Sequence, residues 1–103
     1  MNMNRKFAFI SRHRPTAEQS ALAAEQGIDL VPIGDADAFS VTKEFVDGNG
    51  DFQGVVVVHP AAALRLAPAF MVGVYENGHR PAEGDKPAFF AKALHVFDQR
   101  TCA

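Results

Sequence analysis

The sequence predicts an α/β domain with a mainly parallel, five-stranded sheet flanked by helices. Short apolar segments alternate along the chain with segments rich in helix-forming residues, which is the pattern of strand–helix–strand units. Residues 55–58 form a continuous run of valines, typical of a strand covered on both faces. No helix-forming segment separates the last two predicted strands, so that pair is a candidate for an antiparallel hairpin.

The composition is that of one folded domain covering residues 1–103. Of the 103 residues, 48% are hydrophobic and 21% are charged. These proportions exclude a disordered chain, a collagen-like chain and a coiled coil. The length suffices for one compact domain and is too short for two.

The first strand and first helix carry clear local signals. Residues 6–11 are aromatic and β-prone, which predicts a buried strand. Thr16 is a suitable N-cap for a helix over residues 17–26, and Gln19 would complete a capping box. Gly27 is expected to end that helix.

The second strand and the segment after it are less uniform. Residues 28–33 predict a strand, and Pro32 places it toward a sheet edge or a bulge because proline lacks an amide donor. Within residues 36–50, a short helix that begins after Thr42 competes with a strand over residues 39–46. The helix is favoured because the next segment has the pattern of a buried parallel strand.

The second half of the chain continues the alternation. His59 and Pro60 end the valine strand, and residues 61–66 predict a helix with Pro60 at its first position. Strands are expected over residues 70–75 and 89–97.

Ligands of open parallel sheets bind beyond the carboxyl ends of the strands, and right-handed crossovers bring those ends to one edge. The residues that the sequence places at that edge are Ser11, Arg12, His13, Arg14 and Thr16 after the first strand, Gly34 and Asp35 after the second, His59, Ala61 and Ala62 after the third, and Glu76 and Asn77 after the fourth. Both acid-free stretches of the chain, residues 1–17 and 52–75, pass through this edge. Helix N-termini add partial positive charge there. A positively charged phosphate-binding hollow is therefore expected, although the net charge is -2.

Several site classes are disfavoured. The sequence has no Gly-x-Gly-x-x-Gly after the first strand and no P-loop. His79 and His95 do not share a metal-ligand spacing with the other two histidines, so neither a metal nor a cofactor is expected. Asp35 and Asp37 are expected to form an Asx-type turn. Cys102 is the single cysteine, and no apolar segment suits a signal peptide or a membrane span, which predicts a cytoplasmic protein.

Residues 11–16, Ser-Arg-His-Arg-Pro-Thr, directly follow the first strand and resemble the small CRISPR-associated Rossmann-fold proteins of type III CRISPR systems. Proteins of that family bind cyclic oligoadenylate messengers in antiviral defence, and several are ring nucleases that linearise them. The resemblance implies a Rossmann-like domain, a homodimer around cyclic tetra-adenylate, and no membrane or DNA partner.

The resemblance also implies roles for individual residues. A ribose 2′-hydroxyl would attack the neighbouring phosphorus without a metal, Arg12 would grip the phosphate oxygens, and His13 would act as general acid or base. Ser11 and Thr16 would orient phosphate or ribose. His59 would supply a second anion contact.

The sequence is also compatible with two other functions. One is a sensor or sponge that binds the cyclic nucleotide without cleaving it. The other is a phosphoesterase, because residues 12–16 also resemble the Arg-His-Gly-x-Thr motif of the histidine phosphatase superfamily, and His59 follows a strand as that family's second histidine does. Arg14 stands where that motif has its glycine, which disfavours the phosphatase.

Overall fold

A computed structural model describes residues 5–11, 13–33, 37–79, 84 and 89–99. The elements within these residues are β1 (Arg5–Phe9), α1 (Ala17–Glu25), β2 (Ile28–Pro32), α2 (Lys43–Gly48), β3 (Gly54–Val57), α3 (Pro60–Leu66), β4 (Met71–His79) and β5 (Phe89–Asp98). The strands form one five-stranded sheet in the order β2-β1-β3-β4-β5. Neighbouring strands run parallel, except that β4 and β5 are antiparallel. The predicted α/β class and the hairpin between the last two strands are both confirmed.

The local signals around α1 act as expected. The Thr16 hydroxyl accepts a hydrogen bond from the Gln19 amide at 3.1 Å, and the Gln19 side chain accepts one from the Thr16 amide at 2.9 Å. Gly27 follows the helix with φ 69°, a left-handed conformation that glycine adopts without strain. Pro32 ends β2, which lies at one edge of the sheet, as its missing amide donor predicted.

The short helix predicted after Thr42 is confirmed, and the alternative of a strand over residues 39–46 is wrong. Thr42 caps α2 by accepting a hydrogen bond from the Phe45 amide at 3.2 Å. The reason is that β2 and β3 both run parallel to β1. The connection from β2 to β3 must therefore be a crossover, and such crossovers usually contain a helix.

The fourth strand is longer than the sequence predicted. Its parallel pairing with β3 ends where Val57 lies beside Val74, yet β4 continues to His79 because β5 supplies hydrogen bonds beyond that point. Glu76 and Asn77 therefore lie inside a strand, where the register shifts, and their expected placement in a loop after the strand is wrong.

The two faces of the sheet are covered by different helices. One apolar cluster contains side chains of β1 and β3 together with Ala23 of α1. The other contains the alternating residues of the same two strands together with residues of α2 and α3. At the central β1–β3 pair, a Cβ on Gly54 would lie 2.5 Å from the Met71 carbonyl oxygen and 2.7 Å from the Phe7 ring. Only glycine allows this approach. None of the helices in the described ranges is long and apolar enough to cross a membrane.

Tyr75 joins β4 to α1 across the first of these faces. Its side chain is buried, and its hydroxyl donates a hydrogen bond to the Gln19 carbonyl at 2.8 Å. Burial disfavours the phenolate and raises the pKa of Tyr75 to about 12 from 10.0.

Alkaline titration tests this placement directly, since the chain has one tyrosine and no tryptophan. Well below pH 10 the phenol is protonated in both the folded and the unfolded chain, so it does not make stability depend on pH there. Between pH 10 and about 12 the unfolded chain loses the proton first, so the free energy of unfolding falls. Tyrosinate absorbance in the native protein should follow the higher pKa.

The control is Tyr75→Phe, which should remove this alkaline loss and cost about 1 kcal/mol at neutral pH through the lost hydrogen bond. A native phenol that titrates near pH 10 would contradict the buried placement.

Candidate functional site

A pocket of about 220 Å³ lies at the carboxyl ends of β1 and β3. This is the point where the strand order reverses, because the chain leaves β1 toward β2 and returns past it to β3. Connections that leave adjacent strands toward opposite faces open a crevice between them, and ligands of open α/β sheets bind there. The pocket is lined by residues from three connections: Ile10, Ser11, His13, Asp37, Ala38, Phe39, Val58 and His59.

Two imidazoles, His13 after β1 and His59 after β3, line this pocket together. The His13 backbone amide donates a hydrogen bond to the Ser11 hydroxyl at 3.1 Å, and Ser11 also lines the pocket. His59 occupies the N-cap position of α3, but its side chain forms no capping hydrogen bond. Neither imidazole is hydrogen-bonded to another group among the described residues. Both rings are therefore available to a ligand.

The wall from the β2–α2 connection brings a carboxylate to the pocket. Asp37 Oδ1 accepts a hydrogen bond from the Phe39 amide at 2.9 Å, so the Asx-type turn predicted for Asp37 is confirmed. This turn also places an acid among the lining residues, beside the two histidines. Asp35, the other residue predicted for the turn, lies outside the described residues.

Arg65 binds the backbone of the same connection. This α3 residue donates hydrogen bonds to the carbonyl oxygens of Ala38 at 3.1 Å and Val41 at 2.8 Å. Its guanidinium thus ties α3 to the connection that forms the wall. The sequence placed Arg65 in an acid-free stretch but carried no signal for this contact.

Other predicted site residues lie elsewhere. Thr16 uses its hydroxyl and its amide in the capping box of α1. Arg14 is exposed and does not line the pocket. Ala61 and Ala62 belong to the first turn of α3, and neither lines the pocket.

The acidic residue predicted on the fourth strand has partners of its own. Glu76 contacts His95 Nε2 at 2.8 Å and Lys92 Nζ at 3.5 Å. The hydrogen bond with His95, followed by the charge of Lys92, lowers the pKa of Glu76. Glu76 and Asn77 do not line the pocket. Three further predicted residues, Arg12, Gly34 and Asp35, lie outside the described residues.

Comparisons of this chain with protein-family models, with curated proteins and with solved structures found no match. Within the described ranges, no group of three or more His, Cys, Asp or Glu side chains could hold a metal ion. What the pocket does offer is two imidazoles on separate loops and, on the same loop as His13, the Ser11 hydroxyl. Imidazole exchanges a proton near neutral pH, so this set is suited to proton transfer.

The role of Arg65 as a brace can be tested by unfolding. Arg65→Ala removes two hydrogen bonds with a charged donor, and we expect the free energy of unfolding to fall by about 1–3 kcal/mol. Arg14→Ala is the matched control, since the exposed Arg14 side chain forms no hydrogen bond to the described residues. Urea unfolding followed by circular dichroism measures both. Equal stability of the two variants would show that Arg65 does not brace the wall.

Proposed function

We propose that the protein binds a cyclic oligoadenylate and cleaves it as a metal-independent ring nuclease in the cytoplasm. The supporting observation is that His13 and His59 line one pocket at the reversal point of the sheet. Cleavage by a neighbouring ribose hydroxyl needs one group to remove the 2′-hydroxyl proton and another to protonate the departing 5′-oxygen. Two imidazoles suit both tasks, because histidine is the side chain that enzymes use most often as a general acid or base.

The proposed step needs no co-reactant. The ribose 2′-oxygen forms a bond to phosphorus while the bond from phosphorus to the 5′-oxygen breaks, which leaves a 2′,3′-cyclic phosphate and a 5′-hydroxyl. One histidine, His13 or His59, takes the proton from the 2′-hydroxyl in its neutral form. The other, in its protonated form, gives a proton to the 5′-oxygen. The protein contributes by holding the reacting atoms in line.

Two further groups serve the phosphate in this proposal. The Ser11 hydroxyl lines the pocket and is assigned a hydrogen bond to a phosphate oxygen. Arg12, which the sequence places between Ser11 and His13, is assigned the same group because guanidinium binds two phosphate oxygens at once.

The proposal includes a homodimer around one ring. The pocket of about 220 Å³ is smaller than the roughly 300–1,000 Å³ of usual ligand pockets, so a whole ring does not fit inside it. A ring with two-fold symmetry can present a nucleotide to each of two symmetric copies. Pairing the copies also doubles the local basic groups of a chain whose net charge is -2.

Cleavage is tested by incubating the protein with cyclic tetra-adenylate and separating the products by chromatography. We expect linear products that end in 2′,3′-cyclic phosphate, formed equally with and without a chelator. His13→Ala and His59→Ala should each slow the reaction by about 10²–10⁴-fold. The matched control is His95→Ala, which removes an exposed histidine outside the pocket and should keep full activity.

Two results would replace the proposal with one of its alternatives. A ring that is bound tightly and recovered intact would indicate a non-cleaving sensor or sponge. Release of inorganic phosphate from a simple phosphoester, with a phosphorylated histidine, would indicate a phosphatase.

The dimer is tested by sedimentation velocity with and without cyclic tetra-adenylate. We expect the ligand to shift the protein to, or hold it at, twice the mass of one 11.1 kDa chain. A monomer in both conditions would reject the shared-ring arrangement, whatever the outcome of the cleavage assay.

A further inference from the structure

One large apolar side chain of the pocket, the Phe39 phenyl ring, has no part in the proposed proton transfers. The Phe39 side chain is 51% exposed although it lines the pocket. Apolar surface is unfavourable in water, so an aromatic ring left uncovered at a pocket is an unfavourable arrangement for the free protein. A ligand that covers the ring recovers that free energy.

The backbone that carries this ring is held by hydrogen bonds, and the ring itself has an aromatic neighbour. Its backbone amide is held by Asp37 Oδ1 at 2.9 Å, and Arg65 binds the carbonyl of the preceding residue, Ala38, at 3.1 Å. The Phe39 ring also contacts the His59 ring, with 5.6 Å between ring centroids and 39° between planes. An aromatic surface held in this way loses little conformational freedom when a flat ligand stacks on it.

Exposure by itself does not identify a binding residue, and the chain shows this. Phe45 is 45% exposed and Leu64 is 69% exposed, but neither lines the pocket. Phe39 differs because its ring is beside an imidazole to which the reacting phosphodiester is assigned.

We propose that Phe39 is the platform on which a purine base of the ligand stacks. The inference deepens the proposed function and rests on it for the identity of that base as adenine. A nucleotide whose phosphate lies at His59 has its base only a few ångströms away, which is the separation of the His59 and Phe39 rings. Stacking on an aromatic side chain is worth about 1–3 kcal/mol per base and accepts any base, with a purine offering the larger face.

The test compares ligand affinity across three variants in a His13→Ala background that keeps the ring intact. Phe39→Ala should weaken the binding of cyclic tetra-adenylate by about 5- to 150-fold, the equivalent of one stacked base. Phe39→Tyr keeps an aromatic face and should bind within about threefold of the parent. Phe45→Ala, which removes a similarly exposed ring outside the pocket, should bind as the parent does.

Two probes separate stacking from other effects. Ribose 5-phosphate has no base, so Phe39→Ala should not change its affinity. A linear oligoadenylate that carries 2-aminopurine should lose fluorescence on binding to the parent and to Phe39→Tyr, and should lose much less on binding to Phe39→Ala.

The outcomes distinguish this inference from the proposed function. Equal binding of cyclic tetra-adenylate to the parent and to Phe39→Ala would overturn the stacking platform and leave the ring nuclease standing. If the parent binds no cyclic oligoadenylate but binds 5′-AMP through Phe39, the proposed function fails and the platform stands. If the parent binds neither, both are overturned.

Discussion

The parallel pairing of β1 with β3 at the middle of the sheet governs the rest of the described molecule. Val55 and Val56 of β3 lie beside Ala8 and Phe9 of β1, and Gly54 admits the Phe7 ring where any side chain would collide with it. Because β2 and β3 flank β1 on opposite sides, the connection from β1 to β2 runs along the sheet in one direction and the connection from β2 to β3 runs in the other. Right-handed crossovers then put α1 on one face and α2 and α3 on the other. The crevice beyond β1 and β3 is a direct result.

One wall of the pocket is held by hydrogen bonds among the described residues, whereas the two imidazoles are not. The β2–α2 connection is held by the Asp37 turn and by the two hydrogen bonds from Arg65. By contrast, the rings of His13 and His59 form no hydrogen bond to other described residues. An acid and a guanidinium thus stabilise the scaffold, while the two imidazoles stay open to a ligand.

Local chemistry explains which features could be predicted from the sequence. Thr16 with Gln19, the valine run and Pro60 each define an element through neighbouring residues alone, and His13 and His59 follow from the rule that parallel strands share a carboxyl edge. The extension of β4 could not be predicted in this way, because it depends on hydrogen bonds from β5. The contacts of Arg65 and the exposure of Phe39 likewise depend on how α3 packs beside a distant connection. No short-range pattern encodes such packing.

Among the described residues, the buried side chains are apolar apart from the Tyr75 hydroxyl, and none of them is charged. His13 and His59 lie at the surface instead, and neither ring forms a hydrogen bond to another described residue. Surface substitutions away from buried networks usually change stability by no more than about 0.5 kcal/mol. Substitutions at these two histidines can therefore change the chemistry of the pocket during evolution with little loss of folding stability.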